Sequence, residues 1–238
     1  MPAAEERLIV ALDVPRARDA LALADALGDS VSFYKIGLEL FAAGEGRPLI
    51  SELKKRGCRV FADLKLFDVP ETVARATAQI AESDADFLTV HGDDAIMRAA
   101  VKAASGARLR VLAVTVLTSL SDDDLRDLGF AGDARSLVLS RAGRALACGC
   151  DGAVSSGWEV RSLRAATDGK LILVVPGVRP ATNRAADDQK RTASPAQIVR
   201  DGGDYLVVGR PIRDAADPRA AARNIVREIA AAADGGVQ

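Results

Sequence analysis

Arg59-Val60-Phe61-Ala62-Asp63-Leu64-Lys65-Leu66-Phe67-Asp68-Val69-Pro70 opens the stretch on which the fold turns, and Glu71 to Ala81 completes it. Residues 59–64 form a short apolar run suited to a strand. Pro70 stands near the first turn of the helix that the spacing predicts over Pro70–Ala81, a position where proline's missing N–H costs nothing. A strand followed at once by a helix is one βα unit, so the fold depends on how often that unit recurs.

It recurs along the whole sequence. Apolar runs at residues 8–12, 31–36, 87–90, 109–116, 171–175 and 205–208 read as further strands, and residues 152–154 give a weak, short one. Between them lie helical segments. Residues 16–27 carry Ala17, Ala20, Leu21, Ala24 and Leu27 on one face, with Gly28 where a helix should stop. An Ala-rich segment from Pro218 runs to Gly235-Gly236. Strands alternating with helices imply a parallel sheet with right-handed crossovers. Eight of them predict an α/β fold of the closed (β/α)8, or TIM, barrel kind. The 238 residues match the roughly 250 usual for such a barrel. Two small domains would also fit on length alone, but no linker or low-complexity tract divides the chain, and one domain over 1–238 is expected.

Composition narrows the function. Nearly half the residues are apolar and 27% are charged, as a large core under a solvated surface requires. With aromatics scarce, that core is expected to rest on Val, Ile, Leu and Ala. A formal net charge of −1 lacks the basic excess of a nucleic-acid binder. Cys58, Cys148 and Cys150 leave one thiol over in any disulfide scheme and match no structural zinc spacing, so reduced thiols in a cytoplasmic protein are expected. No apolar run approaches the ~20 residues that span a bilayer, and Met1 to Arg7 lack a signal-peptide core. Neither nucleic acid nor membrane is therefore an expected partner.

In (β/α)8 barrels, chemistry gathers at the C-terminal strand ends. Those ends carry Asp13, Lys35, Asp63 with Lys65, His91, Thr115 to Ser119, Ser155-Ser156, Pro176-Gly177 and Gly209-Arg210. Asp63 and Lys65 are two apart and share a strand face. Ala62, Leu64 and Leu66 point the other way, toward the helices, so the charged pair faces the barrel interior. Charges there are costly unless paired and hydrogen-bonded, and Lys35 and Asp13 supply further partners. A structural ion pair would account for Asp63 and Lys65 alone. Adding Asp13, Lys35 and Asp68 favours catalysis. Gly209-Arg210 suits close backbone approach to a phosphate and bidentate pairing, although a solvated Arg on an ordinary turn would look the same. The polar, unpatterned stretch 179–193 is long for a compact domain, which points to a functional loop or disorder.

The array Asp-x-Lys-x-x-Asp resembles the active-site motif of orotidine 5'-phosphate decarboxylases. The resemblance spans most of the chain. It takes in Ala11-Leu12-Asp13, Tyr34-Lys35-Ile36-Gly37, Thr115-Val116-Leu117-Thr118-Ser119, Pro176-Gly177-Val178-Arg179, Asp188-Gln189 and Val208-Gly209-Arg210-Pro211-Ile212. It implies decarboxylation of orotidine 5'-phosphate to UMP, in pyrimidine biosynthesis, with no cofactor and no metal. Lys65 would stabilise the developing carbanion at C6 and protonate it. Asp63 would flank the departing carboxylate and orient Lys65, while Lys35 and Asp13 would hold the ribose. Thr118 would read the pyrimidine edge. Pro176, Arg179 and Gln189 on the lid loop, with Gly209 and Arg210, would bind the rest of the substrate, Gln189 and Arg210 gripping phosphate. Asp68 and Thr72 would reach a neighbouring subunit's site, making the enzyme a homodimer with shared active sites.

Several features are expected to be bland. The lone His91 reads as a polar structural residue, Asp122-Asp123-Asp124 as an acidic first helical turn capped by Ser121, Cys148 and Cys150 as buried thiols, and Trp158 and Met97 as packing. Two rival functions remain. A metal-dependent sugar-phosphate decarboxylase or aldolase of the same superfamily shares the strand-three motif, but such relatives carry an acid where Lys35 stands. A non-catalytic phosphometabolite-binding barrel would have no use for Lys65 between acids.

Overall fold

The computed structural model describes residues 2–91, 93–180 and 192–234. Eight parallel strands close into a barrel in sequence order, with β8 pairing back onto β1. The elements run β1 (Leu8–Ala11), α1 (Ala17–Leu27), β2 (Phe33–Gly37), α2 (Leu38–Ala42), α3 (Gly46–Lys55), β3 (Arg59–Leu66), α4 (Pro70–Ala81), β4 (Phe87–Val90), α5 (Asp94–Ala104) and β5 (Arg110–Val114). They continue with α6 (Asp122–Asp127), α7 (Ala134–Ala147), β6 (Gly152–Val154), α8 (Val160–Ala166), β7 (Ile172–Val175), α9 (Pro195–Arg200), β8 (Tyr205–Val208), α10 (Arg210–Arg213) and α11 (Pro218–Asp234). No helix among the described residues is long and apolar enough to cross a membrane.

Local chemistry explains the boundaries. Pro70 opens α4, whose buried Val73, Thr77 and Ile80 recur at helical spacing against the barrel. Gly28 ends α1 with φ of 53°, a backbone angle that glycine adopts without penalty. Ser121 caps α6, its hydroxyl accepting from the Asp124 N–H while the Asp124 carboxylate accepts from the Ser121 N–H at 2.7 Å. The three acids are therefore a capped helical turn, as expected.

The core has two layers. Outward-facing strand residues such as Val10, Ile36, Ala62 and Leu88 pack with the helices in one large cluster, to which the buried Cys148 and Cys150 belong. Inward-facing residues form a smaller second cluster, and here the aliphatic expectation fails. Of the nine aromatic residues in the chain, Phe33, Phe61, Phe87 and Tyr205 lie inside the barrel. Phe87 meets Phe33 and Tyr205 edge to face, with centroids 5.2 and 5.3 Å apart. Each such pair contributes about 0.5–1.5 kcal/mol beyond area burial. Small aliphatic side chains would leave voids across this end, whereas rings fill it. The plug sits at the N-terminal strand ends and leaves the C-terminal end for a cleft.

β3 runs two residues beyond the predicted run, to Leu66. Its pairing with β4 shifts register between Ala62 and Leu66. Within that shift Lys65 takes φ of 48°, a left-handed conformation uncommon for a side-chain-bearing residue. Its N–H donates to the Thr89 hydroxyl at 3.0 Å. A side chain thus stands in for the ladder partner that the bulge removes.

The shortest strand, β6, depends on close approach of its neighbours. A Cβ at Gly152 would stand 2.8 Å from Leu112 Cδ2 and 2.9 Å from Ile172 Cβ, and would also crowd the Ile172 carbonyl. Gly152→Ala should destabilise the fold by about 1–3 kcal/mol, the usual cost of overpacking a filled core. Urea unfolding followed by circular dichroism checks this, and an unchanged midpoint would mean that the β5–β6–β7 wall yields freely.

Candidate active site

The C-terminal strand ends enclose a cleft of about 550 Å³. Four charges of alternating sign line one wall. Lys35 Nζ donates to Asp13 Oδ1 at 2.8 Å and stands 3.5 Å from Asp63 Oδ2. Lys65 Nζ donates to the same Asp63 Oδ2 at 2.8 Å. The other Asp63 oxygen accepts the Thr89 hydroxyl at 2.8 Å. The spatial order is therefore Asp13, Lys35, Asp63, Lys65. β2 and β3 place Lys35 and Asp63 by ordinary inward alternation, whereas Lys65 is aimed by the bulge. Gly37 gives the first link room, since a Cβ there would come within 3.0 Å of Asp13 Oδ1.

The burial of these groups decides their electrostatics. Lys35 and Asp63 are 8% and 9% exposed. Burial by itself would drive the Asp63 pKa up, yet the Lys35 and Lys65 ammonium groups and the Lys65 and Thr89 hydrogen bonds outweigh it and hold the carboxyl below its ordinary value. Burial likewise works to lower the Lys35 pKa, but Asp63 and then Asp13 outweigh it and raise it. Both groups are fully charged at neutral pH.

At the opposite wall, Gly209 precedes the short α10, and Arg210 and Arg213 line the cleft with Arg179, Pro176, Gly177 and Thr118. Arg213 donates to the Asp13 carbonyl at 2.8 Å, tying the end of β8 to the end of β1. The stem of the polar loop is held by the Arg179 N–H, which donates to the Ala193 carbonyl at 2.9 Å. Gln189, expected on that loop, lies outside the described residues.

The structure does not bring Asp68 or Thr72 into this cleft. Asp68 is exposed just past β3, its Oδ1 accepting the Val69 N–H at 2.6 Å. Thr72 is half-buried in the first turn of α4. Phe67 and Val69 flank Asp68 at 71% and 62% exposure. His91, also absent from the cleft lining, packs edge-on against Phe67 at 5.8 Å. Burial, then Arg141 and Lys65, hold its pKa below the ordinary value, so the ring is neutral, in keeping with a structural part. Trp158 corrects the packing expectation. It is 64% exposed, and its indole N–H donates to the Thr192 carbonyl at 3.0 Å, beside the loop stem. Met97 is buried in the core as expected.

Three contributors escaped sequence reasoning. Thr89 and Phe61 face inward by strand alternation, a signal that the neighbouring His91 and Asp63 overshadowed. Arg213 lies three residues after Arg210, hence on the same side of a helical turn.

Comparison with known proteins agrees with this geometry. The family model described as Orotidine 5'-phosphate decarboxylase / HUMPS family matches residues 6–225. An orotidine 5'-phosphate decarboxylase of Methylococcus capsulatus is 57% identical over 224 residues, covering 94% of this chain and 92% of that protein. One of Cereibacter sphaeroides is 53% identical, covering 95% and 98%. The crystal structure of orotidine 5'-phosphate decarboxylase from Lactobacillus acidophilus superposes with a TM-score of 0.83 at 34% identity, covering 94% of this chain and 99% of that one.

The charge network should be visible in stability. Asp63, with its lowered pKa, stabilises the fold above its unfolded value and ceases to as pH falls through the folded one. Lys35, with its raised pKa, stabilises below its unfolded value and ceases to as pH rises through the folded one. The two contributions coexist from about pH 4 to about pH 10. Lys35→Met, which strips a buried carboxylate of a buried partner, should cost about 3–5 kcal/mol at pH 7. Lys65→Met should cost less, because the Lys65 side chain is a third exposed and Asp63 keeps Lys35 and Thr89. Equal losses in urea unfolding would remove Lys35 from its place as principal counter-ion.

Proposed function

The chain belongs to the Orotidine 5'-phosphate decarboxylase / HUMPS family, and from that membership and the charged array we propose that it decarboxylates orotidine 5'-phosphate to UMP without metal or organic cofactor. The observation that carries this reading is the alternating run Asp13, Lys35, Asp63, Lys65 along one wall of the mouth cleft. When the bond from C6 to the carboxylate breaks, carbon dioxide leaves and the electron pair stays on C6. That pair lies in the plane of the ring and has no conjugated acceptor. Stabilisation must then come from fixed charge, at about 1.36 kcal/mol for each tenfold in rate. An ammonium held in place before reaction does this without reorganisation and can hand its proton to C6. Lys65 is that group. Asp63 fixes Lys65 and lies where the substrate carboxylate departs. Lys35 keeps Asp63 ionised and, with Asp13, binds the ribose hydroxyls. Thr118 contacts the pyrimidine, and Arg210 and Arg179 with Pro176, Gly209 and Gln189 secure the phosphate end.

A Lys35 ammonium between two carboxylates also weighs against the sugar-phosphate rivals. A divalent cation there would meet like charge where those relatives offer an acid. Asp68 and Thr72, outside their own cleft and beside the exposed Phe67 and Val69, suit a homodimer in which each subunit completes its partner's site. Free thiols at Cys58, Cys148 and Cys150 suit the cytoplasm.

The direct test follows the ultraviolet absorbance of orotidine 5'-phosphate with EDTA present. The protein should consume it, and Lys65→Ala should lower kcat by roughly 10⁴-fold or more while UMP still binds. Arg210→Ala should act mainly on KM, by about 10–100-fold, since it touches a group that does not react. Activity abolished by EDTA and restored by magnesium would transfer the chain to the metal-dependent reading.

Shared sites predict complementation. Lys65→Ala protein mixed with Asp68→Ala protein, each inactive alone, should regain about a quarter of wild-type activity, because half the random dimers are mixed and each holds one intact site. No recovery, with subunit exchange demonstrated by mass spectrometry, would confine each site to one chain.

A further inference from the structure

A second cleft, of about 540 Å³, opens at the N-terminal strand ends, opposite the mouth. Its floor is the aromatic plug. Arg59 lies across that plug with its guanidinium carbon 4.1 Å from the Phe33 ring centroid, and donates to the Tyr205 hydroxyl at 3.2 Å. Lys54, Arg108 and Arg110 bring further positive charge, against only Asp84 and Asp86. These acids are engaged by part of the basic set. Asp86 Oδ2 accepts Lys54 Nζ at 2.9 Å and the Val60 N–H at 2.8 Å, and Oδ1 stands 3.7 Å from Arg59. Asp84 is 3.8 Å from Lys54.

Three donor groups are left over. Among the described residues, neither Arg108 nor Arg110 forms an ion pair. Tyr205 is 5% exposed. Its hydroxyl oxygen accepts from Arg59, which leaves its own proton with no acceptor among the described residues. A hydroxyl that lines the cleft can donate that proton to a ligand oxygen seated there. The lining thus offers donors in excess and a formal charge of two positives, on a chain whose net charge is −1. A chelating cation would be repelled, and an apolar ligand would strand the donors.

We propose that this cleft binds a phosphate-bearing anion, with Arg108 and Arg110 pairing its oxygens and the Tyr205 hydroxyl and Arg59 edge holding its inner end. Planar guanidinium groups suit phosphate oxygens bidentately, and the two surplus positive charges of the lining favour a group that carries two or more negative charges, as a phosphate monoester or diphosphate does. The site owes nothing to the mouth residues, so it stands apart from the decarboxylase reading.

The test is isothermal titration calorimetry at low ionic strength with inorganic pyrophosphate, and separately with ATP. Arg210→Ala protein serves throughout, so that anion binding at the mouth is weakened. Binding should persist in that protein. It should weaken by roughly tenfold or more when Arg108→Glu and Arg110→Glu are added, and by several-fold with Tyr205→Phe, which keeps the ring and removes the hydroxyl, both the donor to the ligand and the acceptor for Arg59. Tighter ATP than pyrophosphate would assign the anion to a nucleotide, and the reverse to a free phosphate species. Either supports the site. No binding by Arg210→Ala protein, or binding indifferent to the Arg108, Arg110 and Tyr205 changes, overturns it. Should the doubly reversed protein fail to fold, Tyr205→Phe and Arg108→Ala alone decide.

Discussion

A carboxylate 9% exposed inside a barrel would, left to itself, take up a proton, because the penalty for a buried ion is several kcal/mol even after relaxation. Asp63 stays ionised because Lys35 and Lys65 meet one of its oxygens and Thr89 the other. Much of the mouth architecture serves that requirement. β2 delivers Lys35, β4 delivers Thr89, and Gly37 leaves space for Lys35 to hold Asp13 as well. The Thr89 hydroxyl has two duties, donating to Asp63 and accepting from the Lys65 backbone. One threonine therefore couples the charge of the site to the bulge that aims the lysine.

The same constraint explains the polarity of the barrel along its axis. An interior cannot be filled with rings and still hold four charges, so the two kinds of residue divide the length. Phe33, Phe87 and Tyr205 close the N-terminal end, and Phe61 sits between them and the charges. The plug excludes water from below, which lowers the local dielectric and strengthens each charge–charge contact above it. Scarcity of aromatics in the composition and their concentration inside the barrel are compatible, since an eight-stranded barrel is narrow enough for four rings to matter.

The strand order was legible because apolar runs alternate with helical segments, and the inward face of Asp63 because period-two alternation needs only spacing; Lys65 shares that face, but the bulge aims it. Lys35, Asp13, Gly209 and Arg210 were legible because each stands at or just past the end of an apolar run. The aromatic plug was not, because composition counts residues without saying which face they share. The bulge at Lys65 was hidden too. A left-handed lysine has no sequence signature, and the Thr89 hydroxyl that supports it lies 24 residues away. Arg213 was missed because one cation at the strand end already met the phosphate expectation. Trp158 was misjudged because a lone tryptophan usually signals core, while here its indole N–H is taken by the Thr192 carbonyl at the surface.

Under the proposed reaction, the two walls of the cleft divide the labour by rigidity. Lys35 is paired on both sides, with Ala11 and Phe61, Asp63 is paired with Gly37, and the Lys65 backbone is tied to the Thr89 hydroxyl, so all three stand on or beside hydrogen-bonded strands. Arg179, Gly209 and Arg210 stand on a loop stem and a one-turn helix. Electrostatic stabilisation of a carbanion is worth most when the charges need not move as the bond breaks, so it belongs on strands. A phosphate that does not react can be held by elements that yield, because its binding energy serves to seat the ring against the rigid wall. The left-handed backbone at Lys65 fits this division. Holding a lysine at positive φ costs on the order of 1–2 kcal/mol, and the fold bears that cost at the residue whose ammonium must be aimed. A lysine on a relaxed strand would keep the alternation but lose the bulge, and with it the direct link through Thr89 between its backbone and the carboxylate it pairs with.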